Sequence, residues 1–384
     1  MRYRYSTGRN GRPVKTALVY TKDEHGIKTG DIDSDAVGIV RKLRESGYES
    51  YIVGGAVRDI ILGKKPKDFD IASGASPLQI RRIFRNSRII GRRFKLVHVY
   101  FGSVIYEVST FRSLRDGLTG NTFGTIGEDV QRRDFTMNAL FYDPLQETVV
   151  DYVGGMKDIK AKRVRAIIPL ATIFKDDPIR MLRAAKYAAS SDFALPLSLK
   201  VKIKKQAALL TGVSPSRLTE EISKIVRSPS ARRIVQALES LGLYAYLQPA
   251  ASRMMKENPG FRLRYMESLE ALGDPGFKNR PGEALGVLVN DYLDDAIDTA
   301  AGTAESYKAA YSAARGFLQP MTPPRFELEY SLRRFFASKG VQVRKTQFTE
   351  KDRPKIENTE GGTGEEGPKR KKRRRKARPA KPAS

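Results

Sequence analysis

Apolar residues recur at helical spacing between Ser34 and Glu45, with Val37, Val40 and Leu43 on one face. Asp33 or Ser34 can cap that helix, and Gly47 can stop it. The short apolar run Tyr51 to Val53 ends at Gly54-Gly55, the pattern of a strand breaking into a turn, and Ala56 to Leu62 returns to helical spacing. In Asp68-Phe69-Asp70, strand alternation sends both carboxylates to one face and the Phe69 ring towards a core. Ser76-Pro77 opens another helix, whose Ile80, Ile83 and Phe84 should pack on a sheet. Two strands follow. Gly91 to Gly102, GRRFKLVHVYFG, carries three basic residues into an apolar strand, and Ile105 to Phe111 alternates so that Glu107 faces away from Tyr106 and Val108. His98, one of two histidines, reads as a hydrogen-bonded residue in or beside the core rather than a catalytic one.

After a Gly- and polar-rich loop between Arg112 and Gln131, the period changes. From Phe174 the chain is helical, and DDPIRMLRAAKYA sets Asp177, Arg180 and Arg183 along one side. Leu197 to Phe336 is helical throughout, with Ser216 and Ser230 as helix starts. The two ends differ. Residues 1–30 are basic and without clear period, and from about Gln347 apolar residues become sparse. Lys369 to Lys381 holds ten basic residues and no acidic one, a composition that leaves the tail disordered on its own.

Charge then narrows the class. The formal net charge is +27 over 384 residues, and removing the ten tail charges still leaves +17, so the folded part also calls for a polyanionic partner. The absence of cysteine excludes disulfides and thiolate metal sites and agrees with a reducing compartment. No run approaches a membrane span, and MRYRYSTGRN lacks an apolar signal core, so the expectation is an unexported cytoplasmic protein.

The chemistry concentrates between Tyr51 and Ile71. If Gly55 opens a helix, its unpaired N–H groups favour a phosphate, and Arg58 stands close enough to add a full positive charge. Adjacent carboxylates at Asp68 and Asp70 repel each other unless a cation lies between them. Such oxygen donors suit Mg²⁺, and two Mg²⁺ ions can activate a hydroxyl and steady a leaving phosphate. An isolated Asp-x-Asp is also the look of a solvated strand end; about ten residues after Gly-Gly-x-x-Arg-Asp it reads as a metal site. Arg132-Arg133-Asp134 adds forked donors and a carboxylate able to accept from a sugar hydroxyl.

GGAVRDIILGKKPKDFDIA resembles the head signature of the class II nucleotidyltransferases, the family of tRNA CCA-adding enzymes and bacterial poly(A) polymerases. RRDFTMNALFYD and DDPIRMLRAAKYA resemble its next two motifs, in the expected order. GRRFKLVHVYFG and the basic tail are more similar to the poly(A) polymerase branch, and the resemblance fades after about residue 250.

The resemblance implies an α+β fold: a head with a small mixed sheet flanked by helices, then all-helical neck and body domains and a disordered basic tail. The corresponding boundaries are a loose basic arm (1–32), the head (33–160), the neck with its nucleotide-selecting helix (161–245), an RNA-binding body (246–346) and the tail (347–384). Asp68, Asp70 and Glu107 would hold Mg²⁺. Gly54, Gly55, Arg58 and Arg133 would hold ATP. Asp134 would be an essential carboxylate, supporting either metal or ribose. Asp177 and Arg180 would read the base, with Arg183 nearer the phosphates, while Lys186 stands where the family has an arginine. The implied reaction is template-independent transfer of AMP from ATP to a single-stranded RNA 3′ end, with body and tail contacting phosphates. The alternatives are CCA or partial CCA addition to tRNA, and a non-catalytic RNA-binding protein on the same fold.

Overall fold

The structure, a computed structural model, describes residues 2–7, 10–91, 95–113, 122–274, 280–298 and 303–343. Arg92 and Arg93, most of the polar loop after Arg112, and the basic tail lie outside these residues.

Nine strands make one mixed sheet: β1 (Arg2–Thr7), β2 (Pro13–Tyr20), β3 (Ser50–Val53), β4 (Asp70–Ser73), β5 (Ser87–Ile90), β6 (Leu96–Phe101), β7 (Val104–Thr110), β8 (Leu140–Asp143) and β9 (Thr148–Asp151). Their spatial order is β1-β2-β9-β8-β3-β4-β7-β6-β5. Every neighbouring pair is antiparallel except β4 with β7. Helices α1 (Lys22–His25), α2 (Ser34–Glu45), α3 (Gly55–Ile61), α4 (Pro77–Ile83), α5 (Ile126–Gln131) and α6 (Gly155–Lys160) interleave with these strands. The remainder is helical. It runs through α7 (Ile173–Asp176), α8 (Ile179–Ser191), α9 (Leu197–Gln206), α10 (Pro215–Val226), α11 (Ala231–Ser240), α12 (Tyr244–Leu247), α13 (Pro249–Glu257), α14 (Pro259–Ala271), α15 (Pro281–Ala296), α16 (Thr303–Phe317) and α17 (Arg325–Ser338). This is the α+β arrangement expected, a mixed sheet followed by helices.

Local signals act as anticipated in most elements. Asp33 caps α2 by accepting from the Asp35 and Ala36 N–H groups, and Val40 and Leu43 are fully buried. Ser76 and Gln79 form a reciprocal capping box on α4, whose Ile80 is buried. On one sheet face Tyr51, Val53, Ala72, Phe111, Phe141 and Val150 form a core cluster closed by α5 residues Ile126 and Val130. Asp151, at the end of β9, accepts from four successive backbone N–H groups, Val153 to Met156, and so fixes the turn into α6.

Four expectations are corrected. Residues 1–32 are not a loose arm: β1 and β2 form a hairpin, and β2 adds to the sheet through Leu18 opposite Asp151. Its period was hidden because β1 is exposed almost throughout and a register shift between Arg4 and Tyr5 interrupts the alternation. Phe69 is half-buried rather than in the core, and β4 begins only at Asp70. Asp70 pairs with Val53, the last residue of β3; beyond it Gly54 turns away and leaves Asp68 and Phe69 without a partner strand. The helix expected from Phe174 is broken into α7 and α8 at Asp177, whose extended backbone is what a following proline imposes. Ser216 lies in the first turn of α10, which Ser214 and Pro215 open.

Candidate active site

The end of β3, the start of β4 and the middle of β7 meet at one corner of the sheet. Gly54 leaves β3 with φ 73° and ψ −130°, a conformation that side-chain-bearing residues avoid. A Cβ there would still have room, 3.9 Å from Arg133 Nη1 and 4.0 Å from Asp70 Oδ2, so the backbone and not crowding requires glycine. The same distances place Arg133 and Asp70 on either side of the turn. Gly55 follows as the first residue of α3, with Arg58 Nη2 3.6 Å from where its Cβ would be.

The parallel pairing of Ile71 with Val108 makes Asp70 and Glu107 the preceding residues on adjacent strands, and alternation puts both on the face opposite those buried partners. Glu107 lies directly across β6 from His98, whose Nε2 is 3.4 Å from Glu107 Oε1. Asp70 reaches solvent yet lies in a recess with protein packed around it. Burial first, then the charges of Asp68 and Glu107, push its carboxyl up to about 6 against the pull of Arg133. Among the described residues no three His, Asp or Glu side chains already meet at a single metal-holding point. The donor set nevertheless fits a hard divalent cation: three carboxylates, one of them raised to about 6 by burial and then by the charges of the other two.

The expected nucleotide-binding residues have defined partners. Arg133 donates from Nε and Nη2 to Asp129, a turn earlier, and from Nη1 to the Asn138 carbonyl, with its guanidinium 4.8 Å from the centre of the Phe141 ring. Arg58 donates to Asn138 Oδ1 at 2.6 Å and to Asp59, and lies over Tyr187 of α8. Asp134 accepts from Arg180 Nε and Arg183 Nη1, both at 2.8 Å. Arg180 also donates to the Ile173 carbonyl and is 5 % exposed. Asp177 accepts from Arg217 of α10 at 2.9 and 3.0 Å. The structure therefore groups Asp68, Asp70, Glu107, Gly54 and Arg133 at the corner. Asp134, Arg180 and Arg183 form a second cluster, and Asp177 is held by α10.

Sequence reasoning missed Asn138, Asp129, Arg217 and Glu221. Only the i, i+4 spacing of Asp129 and Arg133 was available as a signal. Glu221 of α10, 3 % exposed, is shared by Lys186 at 2.9 Å, Arg183 at 3.5 Å and Lys224 at 3.6 Å. Burial raises Glu221, but Lys186 and Arg183 overcome it and hold the carboxyl below its ordinary value. Lys186 is itself lowered, by desolvation first, and Lys224 and Arg183 repel its charge. Because the folded Glu221 is depressed, its stabilisation is complete above the unfolded glutamate value of about 4.3 and is lost as pH falls through the folded value. Denaturant unfolding of Glu221→Gln should therefore differ most from wild type at neutral pH and converge with it in acid. A constant difference down to about pH 3 would remove Glu221 from the ion network.

A cavity of about 550 Å³ lies among Ala188, Phe193, Lys200, Arg233 and Leu241, and none of the expected site residues lines it.

Residues 50–165 match the poly A polymerase head domain, and residues 192–255 match a probable RNA and SrmB-binding site of polymerase A. A solved structure, the Bacillus stearothermophilus CCA-adding enzyme in complex with CTP, aligns with a TM-score of 0.55 at 30% identity, covering 80% of this chain and 83% of that one. The chain belongs to the tRNA nucleotidyltransferase/poly(A) polymerase family. Within this family it is 41% identical over 263 residues to poly(A) polymerase I of Salmonella typhi, across 64% of this chain and 56% of that protein. It is 34% identical over 243 residues to the CCA-adding enzyme of Geobacillus kaustophilus, across 61% of this chain and 60% of that protein. The chain thus spans little more than half the length of these curated relatives.

Proposed function

We propose that this protein adds AMP from ATP to RNA 3′ ends without a template and releases pyrophosphate. The carboxylate corner carries this reading: Asp70 and Glu107 share a sheet face at adjacent positions, Asp68 adds its charge, and Gly54 and Arg133 stand beside them. The higher identity to poly(A) polymerase I than to the CCA-adding enzymes favours adenylation. The head, neck and body division is proposed on the same resemblance, with RNA and ATP as substrates in the cytoplasm.

Asp68, Asp70 and Glu107 would hold Mg²⁺, in one or two ions. Bound there, Mg²⁺ would lower the pKa of the RNA 3′-hydroxyl and offset charge on the β- and γ-phosphates. The hydroxyl oxygen gives up its proton to solvent and bonds to the α-phosphorus, while the bridging α–β oxygen leaves with its electron pair as pyrophosphate. Arg133, fixed on Asp129 and the Asn138 carbonyl, presents its edge to the triphosphate without first being ordered. The ring of Tyr187 and the amide of Asn138 set Arg58 behind the glycine turn.

Base choice falls to Asp177 and Arg180. Arg217 holds Asp177 and is thereby a positioning residue for selection. Arg217→Ala should lower the preference for ATP over the other three nucleotides by about tenfold, the equivalent of one charge-assisted hydrogen bond. Competition assays with all four nucleotides measure this, and unaltered selectivity would free Asp177 from dependence on α10.

The likeness to the CTP-bound CCA-adding enzyme over 83% of its chain favours a second reading, CCA addition to tRNA. Purified protein given each nucleotide with a tRNA lacking CCA and with an unrelated RNA separates the two. Long A-tracts on both substrates are expected; C, C and A added to tRNA alone would establish the second reading. The charged corner speaks against a purely RNA-binding role, which inert protein with salt-sensitive RNA affinity would support.

A further inference from the structure

The β1–β2 hairpin lies outside both family matches, which begin at residue 50. It forms one edge of the sheet, and β1 is exposed along most of its length. Arg4 turns inward, to Glu49 and to the Tyr51 hydroxyl at 3.0 Å. Tyr3 and Tyr5, on either side of it, are 41% and 58% exposed and their rings meet edge-on, which puts both on the outer face. Their ring centroids are 6.5 Å apart, near the ~6.8 Å between alternate residues of a strand, and their planes stand 70° apart, so each ring offers its own face to a separate, splayed base. Lys15 of β2 places Nζ 3.3 Å from the Tyr3 ring centre, and Arg12 is exposed at the turn. The first acidic residue of the chain is Asp23.

Two exposed tyrosines need an explanation that Lys15 alone does not give, since a ring with two faces can accept a cation on one and a base on the other. The spacing receives successive bases splayed from an extended strand, while the surrounding cations meet its phosphates. An edge of uniform positive charge opposes pairing with a second copy of itself.

We propose that the outer face of this hairpin is a stacking platform for single-stranded RNA, with Tyr3 and Tyr5 receiving bases and Lys15 and Arg12 contacting phosphates. The platform rests on the proposal that RNA is the substrate, and extends it to a surface remote in sequence from the reacting residues. It holds the RNA by its unpaired bases, so it acts on affinity and not on bond making.

The test uses the full chain and a short labelled oligoadenylate, with anisotropy read in the absence of ATP and divalent metal. Tyr3→Ala with Tyr5→Ala should weaken binding by about tenfold or more, since each stacked base contributes a comparable factor. Tyr3→Phe with Tyr5→Phe should bind as wild type does, and affinity for duplex RNA should change little. Thermal unfolding of the alanine pair should match wild type because both rings are exposed. Unchanged affinity in the alanine pair, an equal loss in the phenylalanine pair, or an equal loss on duplex would overturn the proposal. So would a hairpin-dependent dimer in sedimentation with RNA affinity intact. A wild-type chain that binds oligoadenylate through these rings but adds no nucleotide would refute the polyadenylation reading alone.

Discussion

Asp70→Asn is expected to abolish AMP incorporation, by roughly a thousandfold or more, while RNA affinity stays close to wild type. Asparagine keeps the shape of the side chain and removes the charge that a divalent cation needs. The same change should leave the fold as stable or slightly more stable. Asp70 is held up near 6 by burial and by repulsion from Asp68 and Glu107, so neutralising it relieves a conflict that the empty fold must otherwise tolerate. Loss of activity with an equal or higher unfolding temperature is the signature of a residue kept for chemistry at a cost in stability. Two results would sink the assignment: more than about a tenth of the activity remaining, or Mg²⁺ binding by titration calorimetry that matches wild type.

The strand carrying Glu107 and the two helices capped by Asp33 and Ser76 were legible because their signals are local: alternation with period two, or a capping side chain at a fixed offset. The hairpin was not, because an edge strand with little buried surface shows no clean apolar period. The order of motifs announced the family, but not which side chains touch. Nothing in the spacing of Asp134, Arg180 and Arg183 reveals that one carboxylate is gripped by two guanidiniums 46 and 49 residues away. Such pairings depend on where the turn after α5 and helix α8 lie in space, which no single segment encodes. The break at Asp177-Pro178 was visible in the proline itself and outweighs the helical spacing around it.

That break bears on selectivity. Asp177 stands between α7 and α8, and its carboxylate accepts from the Ile179 N–H at the start of α8 as well as from Arg217 of another element. On the proposed reading, in which Asp177 reads the base, shifting α10 would retune selection without moving the carboxylate corner.

The second large effect is on stability. Asp134→Ala should cost about 3–5 kcal/mol, because it leaves Arg180 buried with its charge uncompensated. Burial alone would lower the pKa of Arg183, yet Asp134 reverses this, so the pair is held by the carboxylate and not by solvent. Arg180 would keep only its bond to the Ile173 carbonyl, and Arg183 would fall back on Glu221, which Lys186 and Lys224 already share. Denaturant midpoints measured without nucleotide, metal or RNA isolate this effect from any part Asp134 plays in binding ribose. Asp134→Asn should lie between alanine and wild type, since an amide oxygen can still accept from one arginine but offers no charge. If the alanine variant unfolds as wild type does, Asp134 is reserved for substrate and the two arginines find other partners. If it unfolds early and ATP binding fails with it, the ion cluster that joins the sheet to α8 is also what keeps Arg180 aimed at the base.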